Sequence, residues 1–255
     1  MVSEETLIRE TWSQYWHTHG DEVDTWDALS ETVLRAVERE LGVVKGRRVL
    51  EGGCGTGRIS AQLAKRGARV TCLDIAPEAL ILAEKNFDGL AGAKFVPGSI
   101  LSIPRGDKFD AVWNAGVIEH FNEADQQLAI SEFIAVLADG GKVLILTPYA
   151  RSLPYRMAKF LLEKRGKWPY GREIPITTMA PVMPPNSKLV REYTVSFLPF
   201  FLDCYKFVPI LRPLCRGLTR AALRLLGGAG FAAVDRMLSR VFGGYLLVSV
   251  VAPAK

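Results

Sequence analysis

Between residues 47 and 148, five short apolar runs are separated by turns and by amphipathic stretches of helical period. The runs are RRVLEGG (47–53), ARVTCLDI (68–75), KFVPGS (94–99), FDAVWNAG (109–116) and KVLILTP (142–148). The helical stretches are RISAQLAKRG (58–67), closed by Gly67, PEALILAEKNF (77–87), with Pro at its first position, and ADQQLAISEFIAVLADGG (124–141), ending on a Gly pair. Strands buried on both faces read as continuous apolar runs, and parallel neighbours need a crossover between them. The pattern predicts an α/β chain built on a doubly wound, mostly parallel sheet with right-handed crossovers.

The flanks are less regular. Residues 5–41 read as helix, with Gly42 as the stop. Residues 150–165 read as helix, and 166–190, rich in Pro and Gly, as an extended loop or lid. Residues 194–241 are apolar and basic, helical in pieces around Pro199, Pro209 and Pro213. GYLLVSVVAP (244–253) reads as a last strand. The expected organisation is one domain over 1–255: a helical cap (1–44), a ligand-binding core (45–150), a substrate-side lid and basic insertion (151–243), and the last strand (244–255).

Composition narrows the class. With 255 residues, 49% of them hydrophobic, the chain can bury a core that needs no staple. It has no run of 18 apolar residues, which reads against a multi-span membrane protein. Cys54, Cys72, Cys204 and Cys215 show neither a CxxC pair nor metal-ligand spacing. Together with the acidic, mixed opening MVSEETLIRE, they point to reduced thiols in the cytoplasm. Charge is uneven: residues 1–150 carry 15 Lys+Arg against 22 Asp+Glu, and residues 151–255 carry 17 against 5. The basic part is expected to meet something anionic.

The chemistry centres on VLEGGCGTG (49–57). A strand ends at Glu51, glycines follow at 53, 55 and 57, and a helix starts near Arg58. Glycines let the backbone approach a ligand, and the helix start offers unpaired N–H groups. Asp74 ends the next strand, where a carboxylate can accept both hydroxyls of a ribose. The dinucleotide pattern GxGxxG fails, because its third glycine falls on Arg58 or Ser60. Glu51 would also oppose a pyrophosphate, whereas it suits a ligand with an ammonium end. S-adenosylmethionine has that end, a ribose and a sulfonium.

At these residues the sequence resembles the class I S-adenosylmethionine-dependent methyltransferases, of the small-molecule type. VLEGGCGTG is similar to their glycine-rich first motif and TCLDIAPEAL to their ribose-binding motif; FDAVWNAGVIEHF and LADGGKVLILTP are similar to the segments around the fourth and fifth strands. The resemblance covers roughly residues 45–150 and the final strand. It implies a Rossmann-like sheet whose last strand is antiparallel, with N-terminal helices and a helical insertion before that strand. It implies S-adenosylmethionine as cofactor: Glu51, Gly53, Gly55 and Gly57 around the methionine part, Asp74 on the ribose, Ile75, Ser99 and Ile100 around the adenine, and Asn114 and Gly116 beside the sulfonium. Ser99 stands where many relatives have an Asp against the adenine amino group.

His120, just after the fourth strand, is the candidate catalytic base, with His17 and His19 as alternatives and Tyr15 and Trp16 as possible caps of the donor. The E-x-x-E-H metal pattern of some relatives is incomplete, since Gly116 holds its first position, so no metal is expected. The Asn/Asp-Pro-Pro-aromatic signature of base-amino methylation is absent after Asn114. The expected partner is a small, hydrophobic or lipid-associated acceptor. Trp168, Tyr170, Arg172 and Tyr149 are further acceptor-side candidates. Arg212, Arg216, Arg220 and Arg224 recur every four residues, with Leu214, Leu218, Ala221 and Leu225 largely on another face. Residues 194–241 can pack on the domain, contact a membrane surface peripherally, or meet RNA; nucleic acid is the least favoured. An RNA or protein methyltransferase and a non-catalytic donor-binding module remain as alternatives.

Overall fold

The computed structural model describes residues 4–23, 26–166, 168, 170–199 and 212–254. The elements, in chain order, are α1 (Glu4–Val23), α2 (Ala28–Leu41), β1 (Arg48–Gly52), α3 (Arg58–Lys65), β2 (Arg69–Asp74), α4 (Pro77–Asn86), β3 (Lys94–Pro97), β4 (Phe109–Ala115), α5 (Glu123–Ala135), β5 (Leu137–Pro148), α6 (Leu153–Lys164), β6 (Ser187–Val195), α7 (Arg212–Phe242) and β7 (Leu246–Pro253). They build a seven-stranded sheet in the order β3-β2-β1-β4-β5-β7-β6. The first five strands pair in parallel, and β7 runs antiparallel to both β5 and β6. The predicted fold is present.

Both faces of the sheet are covered. Trp113, Leu144 and Val248 point to the side packed by Val37, Ile59, Leu63 and Leu80 of α2, α3 and α4. Leu50, Val112 and Ile145 point to the other, against Ile130 and Phe133 of α5. This two-sided burial explains the unbroken apolar runs. The order reverses between β1 and β4, and the carboxyl ends of the strands there form the crevice where such sheets bind ligands.

Four sequence expectations change. The helix expected over 5–41 is two helices, because Asp27 caps a new start: its carboxylate accepts from Ser30 N at 2.8 Å, and Ser30 answers in a capping box. The helix expected over 124–141 ends at Ala135, and Leu137–Gly141 joins β5, where Gly140 takes φ 74. The loop expected to run to 190 gives way at Ser187 to β6, an edge strand that carries Lys188, Arg191 and Glu192. Downstream, α7 has Pro213 in its first turn and a kink at Gly227, where φ is 63. The expected breaks at Pro199 and Pro209 are not both visible, since residues 200–211 lie outside the described residues.

Candidate functional site

The chain leaving β1 turns at once. Gly53 N and Cys54 N both donate to Leu73 O on β2, at 2.7 and 3.0 Å, which folds the loop across the neighbouring strand. Gly53 and Gly55 have φ 68 and 53. A side chain on Gly55 would meet the Trp16 ring of α1 at 2.8 Å, and one on Gly53 would meet Val117 at 2.6 Å. Both positions are therefore closed to other residues by conformation and by space.

This loop borders a cavity of about 290 Å³. Glu51, Gly53, Gly55, Asp74, Ile75, Ser99, Ile100, Gly116 and His120 all line it. Gly57 and Asn114 do not. Gly57 opens α3, and a side chain there would press on Ala83 and Phe87. Asn114 is wholly buried in β4, and its amide finds no hydrogen-bond partner among the described residues. Tyr15 and Trp16 border the cavity from α1, together with Trp12, whose ring lies edge-on to His120 at 5.2 Å. The exposed His17 and the wall residue Tyr15 are thus separated by the helix itself; the side chain of His19 lies outside the described residues.

The cavity carries buried acids. Asp74 accepts from Gly55 N at 2.8 Å and Ala76 N at 2.9 Å, and burial still pushes its pKa up. Glu51 Oε2 finds no partner among the described residues. Burial, reinforced by the Asp74 charge, pushes the Glu51 carboxyl up to about 8. A buried carboxyl with one unpartnered oxygen, beside a glycine cradle and a second buried acid, fits the ammonium and ribose of S-adenosylmethionine.

A second acidic group lies past β4. Glu119, His120 and Glu173 bring one ligand-capable atom each to within 4.8 Å of one another. Burial pushes the Glu119 carboxyl up to about 8, and its Oε2 has no partner among the described residues. His120 Nδ1 lies 2.9 Å from Arg172 O. A carbonyl can only accept, so Nδ1 carries the proton and Nε2 keeps its lone pair. Burial lowers the His120 pKa and favours that neutral form. Lys159 donates to Glu173 at 2.7 Å, and the Tyr155 hydroxyl donates to the same carboxylate oxygen.

Tertiary contacts place Glu173 here. Ile174 N donates to Glu119 O at 2.7 Å, and Tyr149 bridges to Ile176, so the WPYGREIP segment folds back onto the site. Tyr170 and Glu173 thereby line the cavity, while Trp168 stands behind them against Tyr170 and over Lys159. Arg172 contributes its carbonyl, and Tyr149 packs near Gly243 outside the cavity lining. Sequence reasoning missed Glu173. Its only signal was an acid inside a turn-rich segment.

Residues 49–141 match the profile of a methyltransferase domain. The malonyl-[acyl-carrier protein] O-methyltransferase of Erwinia billingiae is 34% identical over 110 residues, 43% of this chain and 42% of that protein. A ubiquinone biosynthesis O-methyltransferase of Xanthomonas oryzae pv. oryzae is 31% identical over 140 residues, 53% and 56% of the two chains. The chain spans about half the length of the curated relatives it matches. The solved structure of a TehB-like SAM-dependent methyltransferase from Corynebacterium glutamicum superposes with a TM-score of 0.56 at 17% identity, over 96% of this chain and 98% of the other. That likeness extends the fold beyond the profile. Residues 49–141 thus match a methyltransferase domain, and the glycine loop and strand order around them are those of a Rossmann-like sheet.

Proposed function

We propose that this chain transfers a methyl group from S-adenosylmethionine to a hydroxyl oxygen of a small, largely apolar acceptor. S-adenosylmethionine, when bound, supplies a methyl already activated on a sulfonium, so in-line displacement depends on alignment more than on leaving-group help. Glu51 and the Gly53–Gly55 turn hold the amino-acid end, with Gly57 setting the start of α3. Asp74 holds the ribose. Ile75, Ser99 and Ile100 surround the adenine, and Gly116 lies beside the reacting atoms, with Asn114 as a buried support. Trp12, Tyr15 and Tyr170 offer rings to an apolar acceptor and keep water from it. The Nε2 atom of neutral His120 takes the proton that the hydroxyl releases.

One observation carries the choice of a hydroxyl: His120, its Nδ1 engaged by Arg172 O, lines the same cavity as the acids Glu51 and Asp74. The names of the two curated relatives, both O-methyltransferases, support it. The test pairs donor calorimetry with methyl transfer from labelled donor to a panel of apolar phenols and carboxylic acids. Asp74→Ala should abolish donor binding. His120→Ala should keep donor binding and lower turnover by about 10²-fold or more. Folded wild-type protein that binds no donor would overturn the reading. Label appearing in RNA or protein, with none in the panel, would move the acceptor to those classes.

A further inference from the structure

The first half of α7 is amphipathic, and its apolar side faces solvent. At about 100° per residue, Leu214, Leu218, Ala221 and Leu225 fall within a stripe roughly 60° wide. Such a stripe is normally packed against a core. Here Leu214, Leu218 and Leu225 are 59%, 50% and 84% exposed, and no described side chain between Pro213 and Gly230 is buried. Arg220 and Arg224 are exposed away from the stripe, about 130° and 90° round the helix from its centre. Positions 212 and 216 share that side by sequence, with their side chains outside the described residues. The second half of α7 is tied down: Asp235 accepts from Ser196 N and Leu198 N, and Thr194 Oγ1 donates to Ser239 O. The exposed half follows on from this anchored segment across the kink at Gly227.

A second stripe has the same character. On α6, Leu153, Met157 and Phe160 stand at i, i+4 and i+7 and are 66%, 57% and 56% exposed. The start of α6 and the end of α7 lie at one end of the sheet's strands, since α6 follows β5, α7 precedes β7, and Pro148 pairs with Leu246. The cavity opens at that same end, with Pro148 and Leu246 in its wall.

We propose that the first half of α7 docks on the surface of an anionic phospholipid bilayer. Leucines enter the headgroup–acyl boundary, and the arginines meet the lipid charge. Two properties select this occupant. The 17 basic against 5 acidic residues after residue 150 complement an anionic surface. The leucine stripe needs an apolar phase, which RNA does not offer. No helix among the described residues is long and apolar enough to cross a membrane, so the contact is peripheral. The docking surface stands apart from the methyl-transfer reading.

Flotation with vesicles of phosphatidylcholine alone, or of phosphatidylcholine with phosphatidylglycerol, tests it. The wild type should float with the mixed vesicles and little with the neutral ones. Binding should weaken, without vanishing, as salt rises. Leu218→Asp with Leu225→Asp should lower partitioning about tenfold or more, and Arg220→Glu with Arg224→Glu should remove the preference for anionic lipid. These side chains are exposed, so the variants should keep the wild-type melting temperature and donor binding. Wild type that stays off the mixed vesicles, leucine variants that float as well as wild type, or arginine-dependent binding to RNA alone would each overturn the proposal. Floating without donor binding would strike the methyl-transfer reading and leave the surface intact.

Discussion

Glu51 is a buried carboxyl that shares the cavity with Asp74, and its Oε2 has no partner among the described residues. Its pKa near 8 means that the free protein carries it largely protonated at neutral pH. An ammonium favours the carboxylate, so donor binding must release that proton below about pH 8. Above that pH the ligand's own α-amino group, with a pKa of about 7.7–8.0, begins to lose its charge. Donor affinity should therefore peak near pH 8 and fall by up to about tenfold per unit on the acid side. Calorimetry in buffers of different ionisation enthalpy reads both the affinity and the released proton. Glu51→Gln should weaken binding and remove the acid limb alone; an acid limb that survives in the variant would assign the proton elsewhere.

At the scale of elements, the junction of β6 and α7 decides whether the insertion keeps its place. Ser196 ends the strand at φ 67, which a residue other than glycine adopts only when its surroundings hold it. Asp235 supplies that hold by accepting two backbone N–H groups, and Ser239 Oγ accepts a third from Phe197. Asp235→Ala should cost about 1–3 kcal/mol in urea unfolding, the penalty for leaving buried donors unpaired. The same variant should loosen α7 locally, read as faster amide exchange across 231–242 with β1 and β4 unchanged. Uniform exchange across the sheet would show that the junction is not a separate unit.

For the whole molecule, buried acids set the response to pH. Glu51 and Glu119 both have folded-state pKa values of about 8, against an ordinary 4.5. Between those values the folded state binds protons that the unfolded chain has lost. Stability must then fall as pH rises from about 4.5 to 8 and level off above. Asp74 and Asp235, raised by burial as well, act in the same direction. The loss is expected as a falling melting temperature in ligand-free protein across the window. Glu119→Gln should flatten the slope, and saturating donor should flatten it further through Glu51. A melting temperature that rises through this window would contradict the buried state of both groups.

The sheet, its crossovers and the cavity acids Glu51 and Asp74 were legible in the sequence because each rests on local chemistry. Apolar runs announce strands buried on both faces, and glycines at 53 and 55 announce a backbone that turns against its neighbours. The edge strand β6 was not legible, because its residues are mixed in polarity and its pairing with β7 is bridged by the whole of α7. Glu173 was hidden for a similar reason: a backbone bond across 55 positions, from Ile174 to Glu119, and the bond between the His120 ring and Arg172 O across 52 bring it to the site. The arginine and leucine faces of α7 were also written in the sequence, at helical spacing. Only the tertiary structure decided that the leucines stay in solvent, because burial depends on what else the chain brings to that face. Sequence determined which faces are apolar and where the backbone must bend; long-range packing decided which acids share the cavity and which apolar face is left uncovered.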